Sequence, residues 1–128
     1  IASFVNLLVM AEAALAEKYP DREDLVASGP LFAHVAAAGD FARNVAKSAV
    51  FPHQMAAGEA KLRSIAETNI ARRMPHWPEQ RRRETAIYVA AGFIGLLRWW
   101  MISGLAQSPE QMQRTFFRLS QAALEDAQ

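Results

Sequence analysis

The sequence lacks cysteine altogether, and its charges nearly cancel, with 14 basic and 13 acidic side chains among 128 residues. Without cysteine the chain has no disulfide, no thiolate nucleophile and no cysteine-based zinc site. Long apolar runs are also missing. The longest uncharged one, Ala86–Leu97, is about half of the roughly 20 residues that a bilayer-spanning helix needs. We therefore expect a cytoplasmic chain with no membrane span.

Catalytic and metal-binding patterns are equally scarce. The histidines His34, His53 and His76 do not have the spacing of metal ligands. The chain has no glycine-rich phosphate loop, no G-x-S-x-G motif and no pair of carboxylates on an apolar stripe. We expect no enzyme, no metal and no cofactor.

Basic side chains are concentrated in residues 41–83, which contain nine basic and only three acidic side chains. Such a run can contact phosphates in nucleic acids. No aromatic interleaving and no recognition-helix pattern accompanies it, however, so solvated helix faces are the better interpretation. These residues alone are not expected to bind DNA specifically.

Apolar side chains recur with a helical period throughout, alanine is abundant, and no alternating pattern predicts a strand. The fold class is therefore all-α, a bundle of about six helices in a single domain over 1–128. Prolines and glycines separate the helices, and Ser108, Pro109 and Gln111 form a capping box. The predicted helices run from Phe4 to Tyr19, from Leu31 to Ala38, from Asp40 through Val45, from Met55 to Met74, from Gln80 to Ser103, and from Ser108 onward.

The last two helices carry more apolar surface than one neighbour can cover. Apolar residues surround most of the Gln80–Ser103 helix, and the final helix has a widened apolar face that includes Phe116 and Phe117. A second chain would cover this surface, so we expect a homodimer. The alternative is that the small domain wraps the helix completely by itself.

Two segments together resemble a known family. Ala90–Leu119, AAGFIGLLRWWMISGLAQSPEQMQRTFFRL, looks like the C-terminal signature of TetR-family transcriptional regulators, and Leu31–Ser48 resembles the middle of the same domain. The resemblance implies helices around a small-molecule pocket and a four-helix dimer interface made by the last two helices of each chain. The family's N-terminal helix-turn-helix is absent from these residues, so DNA binding would belong to a longer parent protein.

Candidate site residues follow from the apolar faces and their few polar members. A mostly apolar pocket with isolated polar anchors is the usual composition of a small-molecule site. His34 is either such an anchor or bonded to a backbone carbonyl, and Asn69 needs a partner from another helix, water or ligand. Trp99 and Trp100 point about 100° apart, so only one can face the core. The predicted ligand-binding residues are Phe32, His34, Phe41, Phe51, Met55, Asn69 and Trp99, and the predicted dimer-interface residues are Tyr88, Ala91, Gly92, Gly95, Ile102, Phe117 and Leu124.

The function implied by these observations is effector sensing and homodimerisation in a TetR-family regulator, either repressor or activator. The partners would be a second copy and a small hydrophobic or amphipathic effector, with DNA bound only through the absent N-terminal domain. The alternative is a helical dimerisation or adaptor module without a ligand.

Overall fold

A computed structural model describes residues 3–125, and within that range all regular structure is helical. This confirms the predicted all-α bundle. The predicted domain extends beyond this range at residues 1, 2 and 126–128, which lie outside the described residues. The six helices are α1 Phe4–Lys18, α2 Ser28–Ala38, α3 Asp40–Ala46, α4 Phe51–Arg73, α5 Glu79–Ile102 and α6 Pro109–Ala122.

Side-chain caps set the beginnings of the first and last helices. The hydroxyl of Ser3 accepts a hydrogen bond from the backbone N–H of Asn6, at 3.2 Å. At α6, the Ser108 hydroxyl accepts from the Gln111 N–H at 3.1 Å, and the Gln111 side chain accepts from the Ser108 N–H at 2.8 Å. The predicted capping box is therefore confirmed, and it satisfies two N–H groups that the helix itself leaves unpaired.

Two helices begin earlier than the sequence predicts. α2 starts at Ser28 instead of Leu31, and α4 starts at Phe51 instead of Met55. Each has a proline in its first turn, where the missing N–H removes no intrahelical hydrogen bond. The prolines were predicted to lie outside the helices, but these positions tolerate them.

The long helices α4 and α5 form the most extensive helix pair and carry most of the core. α1 crosses α4 at Gly58, where a Cβ atom would overlap the ring of Phe4. Glycine thus lets the Phe4 ring lie against the α4 backbone, in space that the side chain of any larger residue would occupy. On the other side of the core, α6 packs mainly against α2, with only a small contact to α5.

An aromatic cluster fills the centre of the domain. The ring of Phe32 lies 5.2 Å from that of Phe93 and 5.4 Å from that of Trp100, and Phe93 contacts Phe116 edge-on at 5.2 Å. These centroid distances and tilted or edge-on angles are the favoured geometry of aromatic pairs. The Trp100 indole N–H donates to the Gln107 carbonyl at 2.9 Å, so the buried ring also fixes the α5–α6 connection.

Candidate dimerisation and effector surfaces

A polar cluster under the α1–α2 connector determines the surroundings of Asn69. Its amide group donates to a carboxylate oxygen of Glu12 and to the carbonyl of Leu25, each at 2.9 Å. The other oxygen of Glu12 accepts from the backbone N–H of Ala27 at 3.2 Å. Asn69 therefore finds its partners in α1 and in the connector. This resolves the alternatives of helix, water or ligand in favour of the chain itself.

Two charged side chains complete this cluster. Arg22 forms an ion pair with Glu12 and a second one with Asp24, at 3.3 Å from Nε to Oδ1. Burial raises the pKa of Asp24 above its ordinary value, although the positive charge of Arg22 acts in the opposite direction. Burial likewise lowers the pKa of Arg22, although guanidinium still remains protonated at any ordinary pH. The charged groups hold the connector against α1, and the neutral amide of Asn69 joins both to α4.

The seven residues predicted to bind an effector are not brought together. Four are buried in the core: Phe32, Phe51, Met55 and Asn69. The other three, His34, Phe41 and Trp99, are exposed to solvent. The structure does not bring all seven into one pocket, and their role in effector binding stays a prediction. The short helix α3 directs Ala42 inward and Phe41 outward, and α5 buries Trp100 in place of its neighbour.

The described surface has open grooves, and none of those seven residues lines the three with the best-defined walls. The most enclosed, of about 560 Å³, lies between α3 and the C-terminal end of α5. Its size falls within the range of small-molecule sites, roughly 300–1,000 Å³. Apolar and polar side chains share its walls; the lining residues include Ala46, Met101, Ile102, Asn44, Lys47 and Ser103.

The face of α5 opposite the core is apolar and uncovered. Tyr88 is 69% exposed, Ile102 66% and Trp99 50%. Gly92 and Gly95 lie between them on the same face, since these positions repeat every three or four residues. Ala91 is exposed beside them. Six of the seven predicted interface residues, including the partly exposed Phe117 of α6, therefore offer surface to another molecule.

Leu124 is the exception, because it is buried in the chain's own core and offers little to a second copy. The prediction placed Leu124 on the outward stripe of Phe117, seven residues earlier. Leu124 instead follows Met112, Phe116 and Ser120 at intervals of four residues, and this row of positions faces the core. Leu119 is instead exposed in a groove beside Tyr88.

Comparison with protein families agrees with this architecture. A TetR-type family model described as "Transcriptional regulator C-terminal region" matches residues 30–122, well over half of the chain. The chain belongs to this family. Comparison with curated proteins gave no match, and comparison with solved structures gave none either.

The matched region of this TetR-family domain begins in α2 and ends with α6. α1 precedes it and is tied to it by the Glu12–Asn69 hydrogen bond. The sequence did not predict this polar cluster. Its only signals were an acid within the apolar pattern of α1 and opposite charges in the following connector.

By length and composition α5 could cross a membrane, the one described helix for which this is so. Close to half of its apolar window is buried inside the domain, however. A core helix of a TetR-family domain passes the same test, so this property is weak support for a membrane span.

Proposed function

We propose that this domain senses a small effector and forms the homodimer of a TetR-family regulator in the cytoplasm. Its role is regulatory and not enzymatic. The observation that carries the proposal is the uncovered apolar face of α5, with Tyr88, Trp99 and Ile102, on a regulator domain. Nonpolar surface of this kind marks sites of association. DNA binding would belong to an N-terminal domain of the parent protein and would depend on how the effector alters the dimer.

The dimer is tested by measuring mass in solution. We expect light scattering at micromolar concentration to give the mass of two chains, because isologous contact between the two α5 faces removes this surface from water. A mass of one chain under those conditions would refute dimerisation. In a mobility-shift assay at physiological salt, the domain alone should show no sequence-selective DNA binding.

For the effector, we propose the groove between α3 and the end of α5. Met101 and Ile102 would contact its apolar part, and Asn44 and Lys47 its polar end. The expected effector is small and hydrophobic or amphipathic. A ligand at 100 times its dissociation constant stabilises the native state by about 2.7 kcal/mol, which raises the melting temperature measurably.

The groove is tested by a melting screen of hydrophobic and amphipathic compounds. We expect Lys47→Ala to weaken the melting response to the best amphipathic compound. Lys61→Ala, a substitution on α4 outside the lining of this groove, should leave that response unchanged. An identical response in all three proteins would exclude the groove while leaving dimerisation intact.

A dimerisation or adaptor module without a ligand is the second candidate. The observation in its favour is the filled interior, where Phe32 packs against Phe93 and Trp100. It predicts no melting shift with any compound of the screen. It also predicts that the reading frame upstream of Ile1 encodes no helix-turn-helix.

A further inference from the structure

The outward face of α5 has a symmetric order of side chains. From the N-terminal side it presents an aromatic residue, two glycines and another aromatic residue: Tyr88, Gly92, Gly95 and Trp99. The intervals are four, three and four residues, so the order is the same when read in reverse. Its midpoint falls between residues 93 and 94. A surface that is symmetric about its own midpoint can match a second copy of itself.

The domain's own packing does not explain the two glycines. Within the described part of the chain, a Cβ atom added at Gly92 or Gly95 would meet nothing within 4 Å. At Gly58, in contrast, the added atom would overlap Phe4. Glycine inside a helix is less favourable than alanine because it loses more conformational freedom on folding. These two glycines do leave space for another backbone to approach α5 closely.

The exposed area is appropriate for one further copy. Aromatic side chains bury about 150–250 Å² each; if the large aliphatic ones are counted at the same size, the exposed fractions amount to roughly 450–800 Å² per protomer. A standard interface buries about 800 Å² on each partner. The small residues and the rim would supply the difference. The contributing side chains are Tyr88, Trp99, Ile102, Ile87, Phe117 and Leu119.

Charge favours an antiparallel orientation. Three consecutive arginines, Arg81 to Arg83, lie near the N-terminal end of α5; with Glu79, which pairs with Arg83, and Glu84 they leave this end with a net charge of +1. Parallel pairing would bring the two arginine runs together at one end. Antiparallel pairing separates them and places each beside the C-terminal end of the partner's α5, which carries the negative end of the helix dipole.

We propose that two copies pair through α5 in antiparallel orientation about a twofold axis between residues 93 and 94. Gly92 then contacts Gly95 of the partner subunit, and Tyr88 packs against Trp99 of the partner subunit. This inference rests on the proposed homodimer and adds its register and direction. The closest approach is at the glycines, and the aromatic residues fill the space on either side.

Cysteine cross-linking tests whether the two α5 helices run antiparallel. Because the sequence has no cysteine, only the introduced thiols can react. Glu84 and Ser103 lie at the two ends of the face, are exposed, and are not among the packed aromatic residues. We expect Glu84→Cys mixed with Ser103→Cys to give a dimer with a short bis-maleimide. Either variant alone should give little, since an antiparallel pair keeps like positions about 28 Å apart at 1.5 Å per residue.

The possible outcomes distinguish a wrong register and direction from the absence of a dimer. Efficient cross-linking of each variant with itself would show a parallel pair and overturn the register while dimerisation stands. A monomer that gives no cross-link at micromolar concentration would overturn both.

Glycine variants test the close approach. Gly92→Ala and Gly95→Ala should fold at least as well as the wild type, because the new methyl group meets nothing in the protomer. In sedimentation equilibrium each should raise the dimer Kd at least tenfold, and Tyr88→Ala should do the same. The control Met10→Ala removes a side chain that is 65% exposed on α1 and should leave Kd unchanged. An unchanged Kd in both glycine variants would exclude close crossing at this point.

Discussion

Replacing Asn69 by alanine should cost a large part of the domain's stability. The change removes a hydrogen bond to the Glu12 carboxylate, which is worth about 1.5–3 kcal/mol because the acceptor is charged. It also leaves the fully buried Leu25 carbonyl without this donor, at a cost of about 1–3 kcal/mol. Alanine recovers about 0.7 kcal/mol through its better helix propensity. The expected net loss is therefore about 3 kcal/mol.

Urea unfolding followed by circular dichroism measures this loss directly. A loss of about 3 kcal/mol is a substantial fraction of the roughly 5–15 kcal/mol that stabilises a domain. Asn44→Ala is the matched control, because Asn44 is an exposed asparagine on α3, and it should change stability by less than about 0.5 kcal/mol.

A double-mutant cycle identifies the partner. Combining Asn69→Ala with Glu12→Ala should reveal a coupling energy of about 1–2 kcal/mol, as expected for directly contacting groups. A loss below about 1 kcal/mol for Asn69→Ala, or additive effects in the cycle, would contradict this account of the polar cluster.

Three further predictions concern the core, a helix cap and pH. Phe32→Ala should cost about 3–5 kcal/mol in urea unfolding, since it opens a cavity among buried rings, and a cost near zero would mean that the cluster is loosely packed. Ser108→Ala should cost about 1 kcal/mol by the same assay because it removes the α6 cap, whereas unchanged stability would count against that cap. The raised pKa of Asp24 means that the folded chain binds this proton more tightly than the unfolded chain does, so its stabilising contribution is complete below pH 3.8 and is lost as pH rises through the folded pKa. Stability profiles should therefore show that Asp24→Asn lacks this loss, and parallel profiles for variant and wild type would contradict it.

Local patterns were enough to predict the helices. Periodicity identified all six, and the Ser108 capping box was correct because its hydrogen bonds join residues three apart. The polar cluster could not be predicted in the same way. Its Glu12–Asn69 bond spans 57 residues, and only the crossing of α1 over α4 brings these side chains together.

The candidate site shows a second physical limit. Periodicity tells which face of a helix is apolar, but it does not tell how much space the neighbouring helices leave there. Phe32 was predicted to line a ligand pocket, whereas the structure packs its ring against those of Phe93 and Trp100 in the core. The apolar face of α5 was identified from its composition. That α6 packs mainly against α2 and not against α5 depends on tertiary packing, and no local pattern in the sequence indicates it.

The three tryptophans occupy distinct environments, and this gives the protein an intrinsic optical label. Trp100 and Trp77 are buried, whereas Trp99 stands half in water on the outward face of α5. Indole emission shifts to shorter wavelength in apolar surroundings, and a dissolved quencher reaches only accessible rings. The quenchable, red-shifted part of the emission therefore comes chiefly from Trp99. A molecule that covers α5 should therefore shift the emission of Trp99 to shorter wavelength and reduce its quenching. No dye needs to be attached to the chain.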